Sequence, residues 1–116
     1  MSRDVKLNTE KITPELIDYV VKKIVREIHP EKIILFGSYA RGEFNRGSDL
    51  DLLIIKDDRQ SSREIRRKVD SLLRGRRFAV DLLVRKPNEI EWNLKAKNPF
   101  YLHHIFKDGK VLYEKS

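Results

Sequence analysis

An α/β fold, with a small mixed β-sheet covered by helices, follows from three features of this sequence. One stretch places apolar residues at helical spacing, three others are short branched-apolar runs of strand length, and helical and strand patterns alternate along the chain. The 116 residues suffice for one domain around one core and are too few for two. The expected unit is a single domain over 1–116.

The first helix has a clear start. Thr13 supplies an N-cap oxygen, Pro14 suits the first helical position, and Glu15 complements the positive end of the helix dipole. Leu16, Ile17, Val20, Val21, Ile24, Val25 and Ile28 form one apolar stripe, and Pro30 ends it. Lys32-Ile33-Ile34-Leu35-Phe36 reads as a buried strand that stops at Gly37. A loop rich in Gly, Arg and Asn follows over Arg41–Ser48. Asp49 to Ile55 is a second strand, rich in branched residues and bounded by charge.

Ser61 and Glu64 form a capping-box pair ahead of a helix whose apolar positions are Ile65, Val69, Leu72 and Leu73, with Gly75 as its stop. Phe78 to Val84 is a third strand. Short helices are expected over Asn88–Lys95 and Pro99–Phe106, then a turn at Asp108-Gly109 and a last strand over Lys110–Glu114. No internal repeat or low-complexity linker interrupts this order.

Composition narrows the function classes. Hydrophobic residues make up 40% and charged residues 37%, which suits a packed core under an ionic surface. There is no cysteine, so disulfide scaffolds, thiolate zinc sites and cysteine nucleophiles are excluded. Leu50–Ile55 and the other apolar runs are far shorter than the roughly 20 residues of a membrane span. The opening Met1-Ser2-Arg3-Asp4-Val5 lacks the apolar core of a signal peptide, and the expected location is the cytoplasm. The net charge of +7 and a pI near 9.7 favour polyanionic partners.

Alternate residues of a strand share a face, so Asp49 and Asp51 point one way while Leu50 and Leu52 point into a core. Two such carboxylates repel, and a divalent cation bound by both removes that cost. Asp81 sits mid-strand in an apolar run and needs a partner of the same kind. Gly37-Ser38 directly follows a buried strand, where glycine permits close backbone approach and the serine hydroxyl with successive N–H groups can cradle phosphate. The turn is not a Walker A loop, because no Gly-Lys-Ser/Thr follows.

Together, Gly37-Ser38, the ten residues Tyr39 to Ser48, and Asp49-Leu50-Asp51 resemble the motif of the DNA polymerase beta-like nucleotidyltransferase superfamily. Asp81 in Val80-Asp81-Leu82 is similar to the third carboxylate of that superfamily. The resemblance covers about Ile12 to Val84 and the Lys110–Glu114 ending, and it is nearest to the minimal nucleotidyltransferase branch. It implies the polymerase beta-like palm fold. It also implies that Asp49, Asp51 and Asp81 bind two Mg²⁺ ions, with Asp81 on the ion that activates the attacking hydroxyl. Gly37 and Ser38 would hold the β- and γ-phosphates of ATP. Arg41 is favoured over Arg46 as a further phosphate contact, since a guanidinium fork fits phosphate oxygens.

In the minimal branch such chains pair as antitoxins with a HEPN-domain RNase toxin. The resemblance therefore implies transfer of AMP from ATP to a tyrosine of that toxin. The short chain leaves no room for an acceptor-binding domain, so the acceptor is expected on another macromolecule. The alternatives are a nucleotidyltransferase acting on RNA or on a small molecule such as an aminoglycoside, and a non-catalytic module that occludes the toxin. The basic stretch Arg63, Arg66, Arg67, Lys68, Arg74, Arg76 and Arg77 reads as a solvated helix face, with an acidic partner or RNA as the alternative. His103-His104 are adjacent and cannot face one metal from one helix side. Trp92, Phe100, Tyr101 and Phe106 read as core or partner-interface aromatics.

Overall fold

The computed structural model describes residues 4–45 and 47–116. Helix α1 spans Pro14–Ile28: Thr13 Oγ1 accepts the Leu16 N–H at 3.1 Å, as its capping role requires. The helix ends at His29 in the left-handed region, and Pro30 lies buried beyond it. Strand β1 is Lys32–Phe36, followed at once by the one-turn helix α2, Gly37–Arg41. Strand β2 is Leu50–Ile55, helix α3 Ser62–Leu72, strand β3 Val80–Arg85, and helix α4 Pro87–Lys95. A π-helix, Phe100–Lys107, and strand β4, Lys110–Glu114, complete the order.

The sheet order is β3-β2-β1-β4. β1 runs antiparallel to β2 and β4, whereas β2 and β3 are parallel and joined through α3. The expected mixed sheet covered by helices is what forms.

Strand alternation builds two cores. Ile33, Leu35, Leu50, Leu52, Ile54, Leu82 and Val84 face the apolar stripes of α1 and α3. Ile34, Phe36, Leu53 and Ile55 face the other way and are covered by Ile90 of α4 and by Tyr101 and Ile105 of the π-helix. Gly109 lets this second layer close down on the sheet. A side chain there would collide with the Ile105 carbonyl and with Ile34 Cγ2. Arg85 Nε donates to Tyr101 Oη at 3.2 Å, tying β3 to the π-helix.

Several expected boundaries shift. β2 starts at Leu50, whose N–H donates to Ala79 O at 2.9 Å, so Asp49 stands just before the ladder. β3 starts at Val80 because Phe78 turns into the first core as a buried anchor. α3 ends at Leu72, before Gly75, since the buried Leu73 already caps it. α4 begins at Pro87, with Lys86 N–H donating to Glu89 Oε1 at 2.9 Å. The last helix is a π-helix, seen in the Asp108 N–H to His103 O bond at 3.2 Å, a bonding pattern the apolar spacing does not reveal. Of the four aromatics in that region only Tyr101 is buried; Trp92 is 69% exposed, Phe106 41% and Phe100 38%.

Two substitutions test this framework by urea unfolding. Leu52→Ala, at a fully buried position of β2, should cost about 2–5 kcal/mol. Thr13→Ala should cost only about 1 kcal/mol, the typical worth of one N-cap.

Candidate nucleotide and metal site

The C-terminal end of β1 and the N-terminal ends of β2 and β3 meet at one edge of the sheet. Asp51 is the register partner of Phe36 on one side and of Asp81 on the other. Asp51 and Asp81 therefore lie side by side on adjacent parallel strands, about 4.8 Å apart in backbone spacing. They share the sheet face of Leu53 and Leu83, under the edge of the π-helix layer. Asp49 is two residues before Asp51 and exposed at the mouth.

Gly37 sits directly against Asp51. Its φ is +74°, and a β-carbon there would overlap Asp51 Oδ2. Backbone conformation and space both demand glycine at this position. α2 opens with no side-chain cap on its first N–H groups. Ser38 is half-buried on that first turn.

The electrostatics are strained. The Asp51 carboxyl is pushed up to about 6, first by burial and then by the negative charges of Asp81 and Asp49, with Arg41 partly offsetting them. Arg41 is also engaged elsewhere, its Nε donating to Glu43 Oε2 at 3.1 Å. Arg46 lies outside the described residues, as do Met1, Ser2 and Arg3.

Hard carboxylate oxygens that are part-buried and crowded by like charge suit a divalent cation such as Mg²⁺, which would offset both effects. Among the described residues, no three Asp, Glu, His or Cys side chains stand as a preformed metal-binding group. The adjacent Asp51–Asp81 pair is thus the core of the candidate site, with Asp49 beside it. His103 and His104 are exposed on the π-helix and belong to no such group.

A cleft of about 870 Å³ opens at the same end of the sheet, lined in part by Tyr39, Phe44, Ser48, Arg77 and Ala79. None of the three aspartates lines it, so it is a neighbour of the carboxylate site and not the site itself. Tyr39 and Phe44 stack there at 4.4 Å and 9°. Neither aromatic stood out in the sequence, since their pairing depends on how the loop after α2 folds back.

A family model described as nucleotidyltransferase domain matches residues 18–109. The chain belongs to that family. Two relatives of this nucleotidyltransferase chain, both from Methanocaldococcus jannaschii, carry the name protein adenylyltransferase. One is 45% identical over 51 residues, 44% of this chain and 49% of its own length. The other is 31% identical over 113 residues, 91% of this chain and 75% of its own length. The match thus spans about half of the first relative.

Solved structures agree on the fold. A nucleotidyltransferase of Sulfolobus solfataricus superposes with a TM-score of 0.60 at 22% identity, over 87% of this chain and 79% of that one. A chain of the toxin–antitoxin MntA–HpeT superposes with a TM-score of 0.53 at 23% identity, over 85% and 74%. The resemblance seen in the Gly-Ser and Asp-x-Asp spacing is borne out at the level of family and fold.

The strained carboxylate has a measurable signature. Because Asp51 ionises near 6 in the folded chain and near 3.8 in a model peptide, ionisation opposes folding. The penalty is absent below about pH 4, grows between pH 4 and 6, and is full above that. Asp51→Asn should therefore raise stability by about 1–2 kcal/mol at pH 7.5 without divalent ions, after allowance for solvent screening. The gain should vanish near pH 3.5, as followed by thermal melts across pH. Gly37→Ala should instead destabilise by roughly 2 kcal/mol or more at either pH.

Proposed function

We propose that this nucleotidyltransferase transfers AMP from ATP to a tyrosine hydroxyl of a partner HEPN-domain RNase toxin, and so acts as its antitoxin. The observation that carries the chemistry is the direct register of Asp51 with Asp81 beside Gly37. The protein acceptor is supported by the names of the two archaeal relatives.

Asp49 and Asp51 would hold two Mg²⁺ ions, with Asp81 sharing the ion on the acceptor side. When bound, the ions supply Lewis-acid stabilisation of charge on the attacking and leaving oxygens. The chain's own residues do the rest. Gly37 and Ser38 hold the β- and γ-phosphates through backbone N–H groups and the hydroxyl. Arg41 can leave Glu43 for a phosphate oxygen at little cost, because an exposed ion pair is worth under about 1 kcal/mol. Asp81 orients the tyrosine hydroxyl and takes its proton as the oxygen attacks the α-phosphorus. The bond from the α-phosphorus to the bridging oxygen breaks, and pyrophosphate leaves.

A second acceptor class has a specific observation behind it. Arg63, Arg66, Arg67 and Arg74 are exposed on and just beyond α3, and none of them makes an ion pair within the described residues. A track of such arginines suits an RNA backbone. Nucleic acid is the less favoured partner because Glu64 and Asp70 interrupt the track.

Incubating the chain with its toxin and radiolabelled Mg²⁺-ATP should label the toxin, and a tyrosine-to-phenylalanine toxin should stay unlabelled. Asp49→Ala with Asp51→Ala should abolish labelling and toxin neutralisation together. Neutralisation that survives the double change would mark occlusion without catalysis, and labelling of RNA in place of the toxin would mark the second acceptor class.

A further inference from the structure

The geometry points to Phe100 as the stacking platform for the nucleobase of the bound triphosphate. This rests on the nucleotidyltransferase reading above and adds where the base lies.

The π-helix covers the sheet face that carries Asp51 and Asp81. Phe36 is the register partner of Asp51, and the Phe100 ring meets Phe36 edge to face, centroids 5.8 Å apart at 84°. Strand neighbours on one face have β-carbons about 5 Å apart, so Phe36 links the Phe100 ring to Asp51 through two direct neighbour contacts. That is within reach of a nucleoside whose α-phosphate lies at the aspartates.

Phe100 is held and yet open. Phe36, Tyr101 at 5.5 Å and 86°, and His104 at 5.7 Å and 39° pack around the ring. It still keeps 38% of its surface exposed, while Tyr101 and Ile105 of the same helix keep 5% and 1%. Its own N–H is pinned by Asn98 Oδ1 at 3.1 Å. A ring immobilised before binding loses little entropy on stacking. Long π-helical segments are rare and concentrate at functional sites.

Strand order decides which reactant the ring serves. Asp81 lies on β3, and Phe36 lies on β1, the opposite flank of Asp51. The attacking hydroxyl belongs to the Asp81 flank. The phosphates belong to the β1–α2 flank, where Gly37 and Ser38 follow Phe36 directly. Phe100 therefore stands on the side of the nucleotide and away from the acceptor. Stacking on a ring face tolerates any base, because every base has a π-face. Adenine and guanine triphosphates should bind with similar affinity.

The test is calorimetric binding to the full chain with Mg²⁺, using a non-hydrolysable ATP analogue, its GTP counterpart and inorganic tripolyphosphate. Phe100→Leu keeps an apolar contact with Phe36 but removes the π-face, and Phe100→Trp enlarges it. The leucine variant should bind both nucleotides roughly 5- to 100-fold more weakly, with tripolyphosphate unchanged. The tryptophan variant should bind as well as the parent or better.

Equal nucleotide affinity in the leucine variant and the parent overturns the platform while leaving the nucleotidyltransferase reading intact. So does a leucine variant that weakens tripolyphosphate as much as nucleotide. A parent chain that binds neither nucleotide nor tripolyphosphate overturns both.

Discussion

The constraint on which the site depends is the parallel register that sets Asp51 beside Asp81. Burial, and then the like charges of Asp81 and Asp49, push the Asp51 carboxyl up to about 6. Nothing local favours that arrangement. It persists because slipping β2 or β3 by one residue would turn Leu50, Leu52, Leu82 and Val84 out of the first core. Burial of those side chains is worth about 2 kcal/mol each, which exceeds the repulsion at the strand ends. The apolar pattern thus enforces an electrostatically unfavourable cluster at the end of the sheet where Gly37 meets Asp51.

The surroundings are arranged around that cluster. Gly37 carries no side chain, so the turn after β1 can press against the Asp51 carboxylate. Arg41 eases the negative field while bonded to Glu43, so its charge is available near the site without being locked in it. On the same face the π-helix seals Phe36 and Leu53 from water. Gly109 and the Arg85–Tyr101 bond hold that helix in place.

Local signals in the sequence located most elements well. The Thr13 cap and Pro14 marked the start of α1, and Lys32–Phe36 and Lys110–Glu114 are strands at the expected bounds. Boundaries moved where a side chain's destination outweighed its propensity. Phe78 has strand character but is drawn into the first core, and Leu73 closes α3 before Gly75 is reached. The π-helix was legible only as a helix, because its i to i+5 bonding depends on packing against the sheet and Gly109. The exposure of Trp92 and Phe106 was not legible at all, since an aromatic residue carries no mark of whether another element will cover it.

The sequence alone singled out the candidate site groups, since the Gly37-Ser38 and Asp49-x-Asp51 spacing is local. It also determined that Asp49 and Asp51 share a face, which strand periodicity dictates. Only the tertiary structure decided that Asp81 lies directly beside Asp51, because pairing between β2 and β3 joins residues thirty positions apart through α3. It alone decided that Gly37 touches Asp51 and that Phe100 stands on the Phe36 flank. Such contacts are fixed by how two apolar faces are covered, a choice made by the whole chain at once.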